Sequence, residues 1–409
     1  MQNERKSNLF LITNRFPYYP GEEFLENEIQ YLASVFDTVH IIPLNSVKSQ
    51  KDRMRQIPSN VVVHNSYRAG TNIQRILKLA DPQAIKWLMK EMGNAGKYLS
   101  KLSSKITKHI ISATEVRNYL QKIINKNEDN ALYSYWLNTG GTAIAMYREL
   151  NPDVFGCSRT HRVDLYAYAN NPAYIPFQSQ AIMGLSKLFV ISTDGYNYLL
   201  NKNKAYEPKL EVSRLGVNKA NNLTKSSDDH MFRIVTCSYM SPVKRLHIII
   251  EALSKCKEPI QWTHIGEGDL RPVLEEMANK LPENINWEFK GHLTNQEVNR
   301  YYEQNIIDLF INVSESEGVP VSIMEALSYG IPVMATNVGG TSELVNNENG
   351  VLLDANITSE ELFSKISKYV QMPYSEKEKK RKLSYETWDQ LANAEKNYTE
   401  YAHKLKELL

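Results

Sequence analysis

The sequence predicts an α/β chain built as two Rossmann-like, doubly wound domains facing a cleft. Three observations predict it. Short apolar runs alternate with amphipathic segments along the 409 residues, the pattern of parallel sheets with helices on both faces. That length is enough for two ordinary domains. A polar stretch, Asn218 to His230, interrupts the alternation, and a fresh strand and helix follow at once, as at an interdomain linker. Two doubly wound sheets place a ligand crevice at the carboxyl ends of their strands.

In order, Leu9–Thr13, Val39–Ile42, Val61–His64, Leu132–Tyr135, Val154–Cys157 and Leu188–Ser192 read as strands of the first domain, residues 1–218. After a linker at 219–231, Arg233–Cys237, Gln261–Ile265, Ile285–Phe289, Ile307–Val313 and Val333–Thr336 read as strands of the second, 232–385. The charged tail, 386–409, has a helical pattern.

Composition narrows the function. Forty-eight Lys and Arg against 46 Asp and Glu leave a net charge of +2, so bulk charge argues against a nucleic-acid binder. Three cysteines without CxxC spacing argue against a zinc site or disulfide framework and fit a reducing cytoplasm. The polar Met1–Asn8 lacks the apolar core of a signal peptide,. No run of 18 apolar residues is present to span a membrane,. Charge is concentrated instead: 68–126 holds twelve Lys and Arg against three Asp and Glu, with helically spaced apolar residues such as Trp87, Leu88 and Met89. This pattern suits a basic face on an anionic membrane, and equally a solvated helix face.

The stretch Glu317-Gly318-Val319-Pro320 to Glu325 carries two carboxylates eight positions apart. Pro320 suits the first turn of a helix, where a missing N–H costs nothing. The amides of Gly318 and Val319 then lie at a helix N-terminus, where an anion is favoured. Glu325 rides on the helix while Glu317 sits in the mouth. Upstream, a strand ends near Ser238 and a helix begins near Pro242, with Lys244 and Arg245 at its start. A cation there opposes the helix dipole unless a phosphate arrives; a solvated helix start is the alternative. Gly266-Glu267-Gly268 makes a tight strand-to-helix turn, and His292 falls in the loop after the next strand. In the first domain, Gly21 can let the loop after the first strand approach a ligand. Arg159, His161 and Arg162 follow the strand at 154–157, as a binding cluster or as a surface salt-bridge group.

The run Glu317 to Glu343, with its EALSYGIPVMATNVGG segment, closely resembles the signature of glycosyltransferase family 4, whose members are retaining enzymes of GT-B architecture, among them bacterial surface-polysaccharide glycosyltransferases. The resemblance is good from Phe232 to Leu353 and fainter elsewhere. It implies transfer of a sugar from a nucleotide diphosphate sugar, with UDP favoured over GDP, to a saccharide or lipid-linked saccharide. It implies catalytic roles for Glu317, His161 and Lys244. Donor contacts fall on Lys244, Arg245, Gly318, Val319, Pro320, Glu325, Gly21, Gly266, His292 and Gly340. Arg159 and Arg162 fall on the acceptor side, and the tail crosses back onto the first domain. No DxD triplet is present, so no metal and no resident cofactor are expected, and the enzyme would work in the cytoplasm, peripherally on the membrane. The family's usual Arg five residues before the lysine is here Tyr239. Two rivals stand beside this reading: a GT-B sugar-nucleotide epimerase, and a non-catalytic glycosyltransferase-like partner protein.

Overall fold

A computed structural model of the chain describes residues 5–45, 54–64 and 77–409. It divides into two compact units, one formed by Met1–Ser213 with Tyr398–Leu409 and the other by Arg214–Asn397.

The first unit holds a seven-stranded parallel sheet in the order β3-β2-β1-β4-β5-β6-β7. Its strands are β1 (Ser7–Thr13), β2 (Thr38–Pro43), β3 (Val61–Val63), β4 (Asp129–Ser134), β5 (Phe155–Thr160), β6 (Lys187–Val190) and β7 (Leu210–Val212). The helices used below are α1 (Leu25–Val35), α2 (Pro82–Ala95), α3 (Leu99–Ile123), α4 (Thr139–Leu150), α5 (Arg162–Leu165), α6 (Gln178–Gly184) and α7 (Thr193–Lys202). One face of the sheet buries Phe10, Ile12, Leu132 and Leu188 in a cluster with Ile106, Ile110 and Ile144 from α3 and α4. The other buries Leu9, Leu11, Ala131 and Tyr133 with Ile29 and Leu32 of α1 and with Tyr401 and Leu405. Successive side chains of a strand point to opposite faces, so strands buried on both sides read as the continuous apolar runs seen in the sequence.

The second unit repeats the plan with a six-stranded parallel sheet, β10-β9-β8-β11-β12-β13. These are β8 (Phe232–Cys237), β9 (Ile260–Ile265), β10 (Ile285–Phe289), β11 (Leu309–Asn312), β12 (Val333–Thr336) and β13 (Gly350–Leu353). Its helices include α8 (Leu246–Leu253), α9 (Arg271–Ala278), α10 (Asn295–Gln304) and α11 (Val321–Ser328). Both sheets share a strand order that reverses direction beside their first strand. That switch point, between β1 and β4 and between β8 and β11, is where doubly wound sheets open a crevice.

Three expectations need correcting. The units divide after Ser213 rather than at 218, and the segment read as a linker is fastened to the second unit. Thr224 is buried and donates its hydroxyl to Asn305 O at 2.8 Å, and Ser227 N donates to Asp308 Oδ1 at 2.8 Å. Most of its side chains face solvent, and Thr224 and Ser227 tie it down. The returning tail starts at Tyr398 rather than 386. Finally, β5 runs on to Thr160, so Arg159 lies inside a strand instead of beyond it. Its guanidinium is fully buried and meets the equally buried Glu28 carboxylate at 3.1 Å. Tyr133 donates to the other oxygen of Glu28 at 2.8 Å, and the Tyr401 ring lies 4.2 Å from the guanidinium. Such a pair is costly to break from one side. Arg159 is a structural residue and leaves the expected acceptor-side set.

Candidate functional site

In the second unit the functional side chains gather after β8 and β11, at the switch point. Lys244 ends a 3-10 turn, Pro242–Lys244. Its Nζ meets Glu317 Oε1 at 2.6 Å, bringing together two residues the sequence separates by 73 positions. Asn312, at the end of β11, offers its amide to the same oxygen at 3.4 Å and accepts from Ser314 N at 2.9 Å. The Glu317 loop is therefore fixed from within. Gly339 packs against it with φ of +52°, and a Cβ there would stand 2.2 Å from Glu317 O. Only glycine lets the two loops approach so closely.

Glu325 lies on α11 behind this loop and is buried. Asn295, the first residue of α10, donates to its Oε1 at 2.5 Å. Burial lifts its pKa from the usual 4.5 to about 7, with the Asn295 hydrogen bond opposing that rise. A carboxyl group held near neutrality in an interior site is unusual, and hydroxyl donors from a ligand would stabilise its charged form. Pro320 caps α11 rather than opening its first turn, and its carbonyl accepts from Ile323 N and Met324 N. Gly318 and Val319 sit just before that cap.

Two expected donor contacts are corrected. Arg245 adopts a left-handed backbone with φ of +50°, and its guanidinium turns back onto carbonyls. Nε donates to Val313 O at 2.7 Å, and Nη2 donates to Ala355 O at 2.8 Å. It braces the end of β11 and is not the second phosphate cation. The Gly340 amide donates to Gly318 O at 2.6 Å, so it ties loop to loop and is not offered to an anion. Gly266 follows β9, with φ of +141° and no room for a Cβ, which would lie 1.9 Å from Ser238 O. It lets the loops after β8 and β9 touch. His292 is exposed in the loop after β10. Tyr239 is exposed and reaches Asp269 Oδ1 at 3.4 Å.

The first unit has its own cluster after β1, β4 and β5. His161 lies between the rings of Tyr135 and Trp136, at 4.6 Å and 4.5 Å between centroids. Neither ring nitrogen finds a hydrogen-bond partner among the described residues. Burial first, and the Arg159 charge second, hold its pKa down at about 3. The neutral ring carries one donor and one acceptor, and both nitrogens are buried. Arg162, at the start of α5, is half-buried.

Two acids support this cluster, and neither was given a role from the sequence. The Glu22 carboxylate accepts from the amides of Asn14 (2.8 Å), Arg15 (2.6 Å) and Phe16 (2.6 Å), and from Trp136 Nε1 at 2.7 Å. It therefore locks the loop after β1 to the aromatic wall of His161. The Asp164 carboxylate accepts from Leu137 N at 2.6 Å and His161 N at 2.5 Å, fastening the loops after β4 and β5 together. In the second unit, Asn295, which holds Glu325, was not singled out in the sequence. Gly21 has φ of +96° and donates its amide to Glu23 at 2.8 Å, so it shapes that same loop. No group of three or more His, Cys, Asp or Glu among the described residues could hold a metal ion.

Residues 223–387 match the family model described as Glycosyl transferases group 1. The O-antigen biosynthesis glycosyltransferase WbnH of Escherichia coli is 32% identical over 123 residues, 30% of this chain and 33% of that protein. The putative colanic acid biosynthesis glycosyltransferase WcaL of Escherichia coli K12 is 24% identical over 253 residues, 58% of this chain and 61% of that protein. The match to WbnH thus spans about a third of that relative's length. Anabaena Alr3699/HepE in complex with UDP superposes over 98% of this chain and 100% of its own, with a TM-score of 0.66 and 16% identity. The fold is that of the GT-B glycosyltransferases.

Proposed function

We propose, for a chain whose residues 223–387 match the family model of the group 1 glycosyl transferases, that it transfers a hexosyl unit from a UDP-sugar to an acceptor hydroxyl with retention of configuration, in bacterial polysaccharide or glycolipid synthesis. The carrying observation is the Lys244–Glu317 pair at 2.6 Å, set at the switch point ahead of the buried Glu325. In the reaction the bond from the anomeric carbon to the β-phosphate oxygen breaks. A bond from that carbon to the acceptor oxygen forms, and the acceptor proton passes to the departing phosphate. The ammonium of Lys244 turns from Glu317 to the developing phosphate charge, where a positioned cation lowers the barrier. Glu317 then meets sugar hydroxyls and Glu325 takes the ribose hydroxyls; in the first unit, the neutral His161 is the candidate for a sugar hydroxyl. Uridine is preferred over guanosine because a UDP complex is known for the fold neighbour HepE.

A thermal-shift panel of nucleotide diphosphates tests the reading, since a ligand raises stability with the logarithm of its concentration over its Kd. UDP is expected to shift melting more than GDP. Turnover of a UDP-sugar is expected to survive a chelator, because no carboxylate triplet clamps a metal on the diphosphate. No shift with any nucleotide would favour a non-catalytic partner protein. Release of an epimerised sugar nucleotide would favour an epimerase.

The acceptor partner we propose is lipid-linked, on the inner face of a membrane. No described helix is long and apolar enough to cross one. Residues 68–76 of the basic segment lie outside the described residues. In the described part, Trp87 points into the core, and the outward ridge of α2 is formed by Ile85, Met89 and Met92, with Met89 69% exposed. Lys90 on the same helix, and Lys97, Lys101 and Lys105 after it, are exposed, whereas Lys86 pairs with Glu149. An exposed apolar ridge in a lysine-rich segment suits an anionic lipid surface, with about 1 kcal/mol per lysine near the headgroups. Cosedimentation with anionic vesicles at low salt is expected, and is expected to fail after charge reversal of those four lysines or after Met89→Asp. A parent chain that stays in the supernatant would end this part of the proposal.

A further inference from the structure

Beyond α5 the chain turns through a second short helix, Ala167–Ala169, and carries a group of tyrosines that the donor site does not use. Tyr166 is buried and its hydroxyl donates to Asp194. Tyr168 lies over it, ring centroids 5.1 Å apart and planes 31° apart, yet is itself 56% exposed. Tyr198, on α7, meets both rings edge-on, at 4.9 Å and 6.0 Å. The Tyr198 hydroxyl accepts from Ala167 N at 3.0 Å, and Asn170 Nδ2 donates to Val163 O at 2.9 Å. The turn is thus pinned at both ends and holds one broad aromatic face outward. It lies beyond the carboxyl ends of the neighbouring strands β5 and β6, where ligands of such sheets bind. Tyr168 lies seven positions after His161 in the chain.

We propose that the exposed face of Tyr168 is a stacking platform for a pyranose ring of the acceptor saccharide, in the unit that carries His161. An aromatic face is electrically negative, and the C–H bonds on one side of a pyranose present positive hydrogen to it. The ring's hydroxyls then remain at its rim for polar side chains such as Asp194, which is exposed. A rigid aromatic residue gives contact area at low entropy cost, and a ring already braced by two others loses little on binding. This deepens the transfer reading and rests on it.

Saturation-transfer NMR on the full chain tests it, with methyl glucoside, methyl galactoside, methyl mannoside and methyl N-acetylglucosaminide as probes at millimolar concentration. At least one pyranoside is expected to receive saturation from the parent chain. Tyr168→Phe and Tyr168→Trp are expected to keep that signal, and Tyr168→Ala to reduce it at least fivefold while the melting shift given by UDP is unchanged. Absence of the UDP shift in the parent would strike the transfer reading itself. An intact UDP shift with no pyranoside signal, or with equal signals for the parent and Tyr168→Ala, overturns the platform alone. Loss of vesicle cosedimentation in Tyr168→Ala with pyranoside signals intact also overturns it, by assigning the ring to a lipid interface.

Discussion

Lys244→Ala is expected to lower turnover of a UDP-sugar by about 10²–10³-fold, the effect of removing one group that stabilises charge developing in a transition state. The Lys244 ammonium lies 2.6 Å from Glu317 Oε1, so it is held in place before any ligand arrives. A leaving diphosphate carries more charge than one carboxylate and competes for it. Arg245 is turned to backbone carbonyls instead, with Nε on Val313 O and Nη2 on Ala355 O. Lys244→Arg is expected to restore turnover only in part, since a planar guanidinium does not replace a compact ammonium. Glu317→Ala is expected to leave the affinity for free UDP unchanged or slightly tighter, because it removes the competing carboxylate, while transfer falls. Steady-state turnover and UDP titration of the three variants check this. If Lys244→Ala stays within about threefold of the parent, less than ~1 kcal/mol of barrier, Lys244 is not the leaving-group cation.

The parallel strands and their alternation with helices were legible because strands buried on both faces leave continuous apolar runs, as Leu9–Thr13 and Arg233–Cys237 do. β7 and β13 escaped notice, being only three and four residues long. The Glu317 and Glu325 positions were legible because a proline and a glycine fix the loop and the helix start between them. Contacts across loops were not. Nothing local says that Lys244 meets Glu317, or that Gly340 N is taken by Gly318 O. Arg159 was misread because an Arg near a strand end looks exposed, and the pairing that buries it comes from Glu28, 131 positions away. Glu22 and Asp164 look like ordinary turn acids. Their role lies in collecting backbone amides, which all sequences possess.

Glu325 should make nucleotide affinity depend on pH in a direction its burial dictates. Its pKa is lifted to about 7 from the usual 4.5. In the ligand-free chain, its contribution to stability is therefore fully present below about pH 4.5 and is lost as pH rises through about 7. Ribose hydroxyls change this balance. They donate to a carboxylate more strongly than to a neutral acid, so the ionised form is the one that binds. Below pH 7 the competent form is the minor one, and apparent affinity falls with its fraction. Between about pH 6 and about pH 8 that fraction rises close to tenfold, and UDP affinity should rise with it. Glu325→Gln keeps the shape and removes the titration. Its UDP affinity should be weaker at pH 8 and should retain only the pH dependence of the diphosphate and of other groups. Glu325→Ala should weaken UDP binding further, in contrast to Glu317→Ala. Calorimetric titration with UDP in buffers of different ionisation heat reads both affinity and protons, and proton release on binding near pH 7 is expected from the parent and reduced in Glu325→Gln. Equal proton release from the two, or a parent affinity that falls as pH rises, would mean that Glu325 does not meet the ribose.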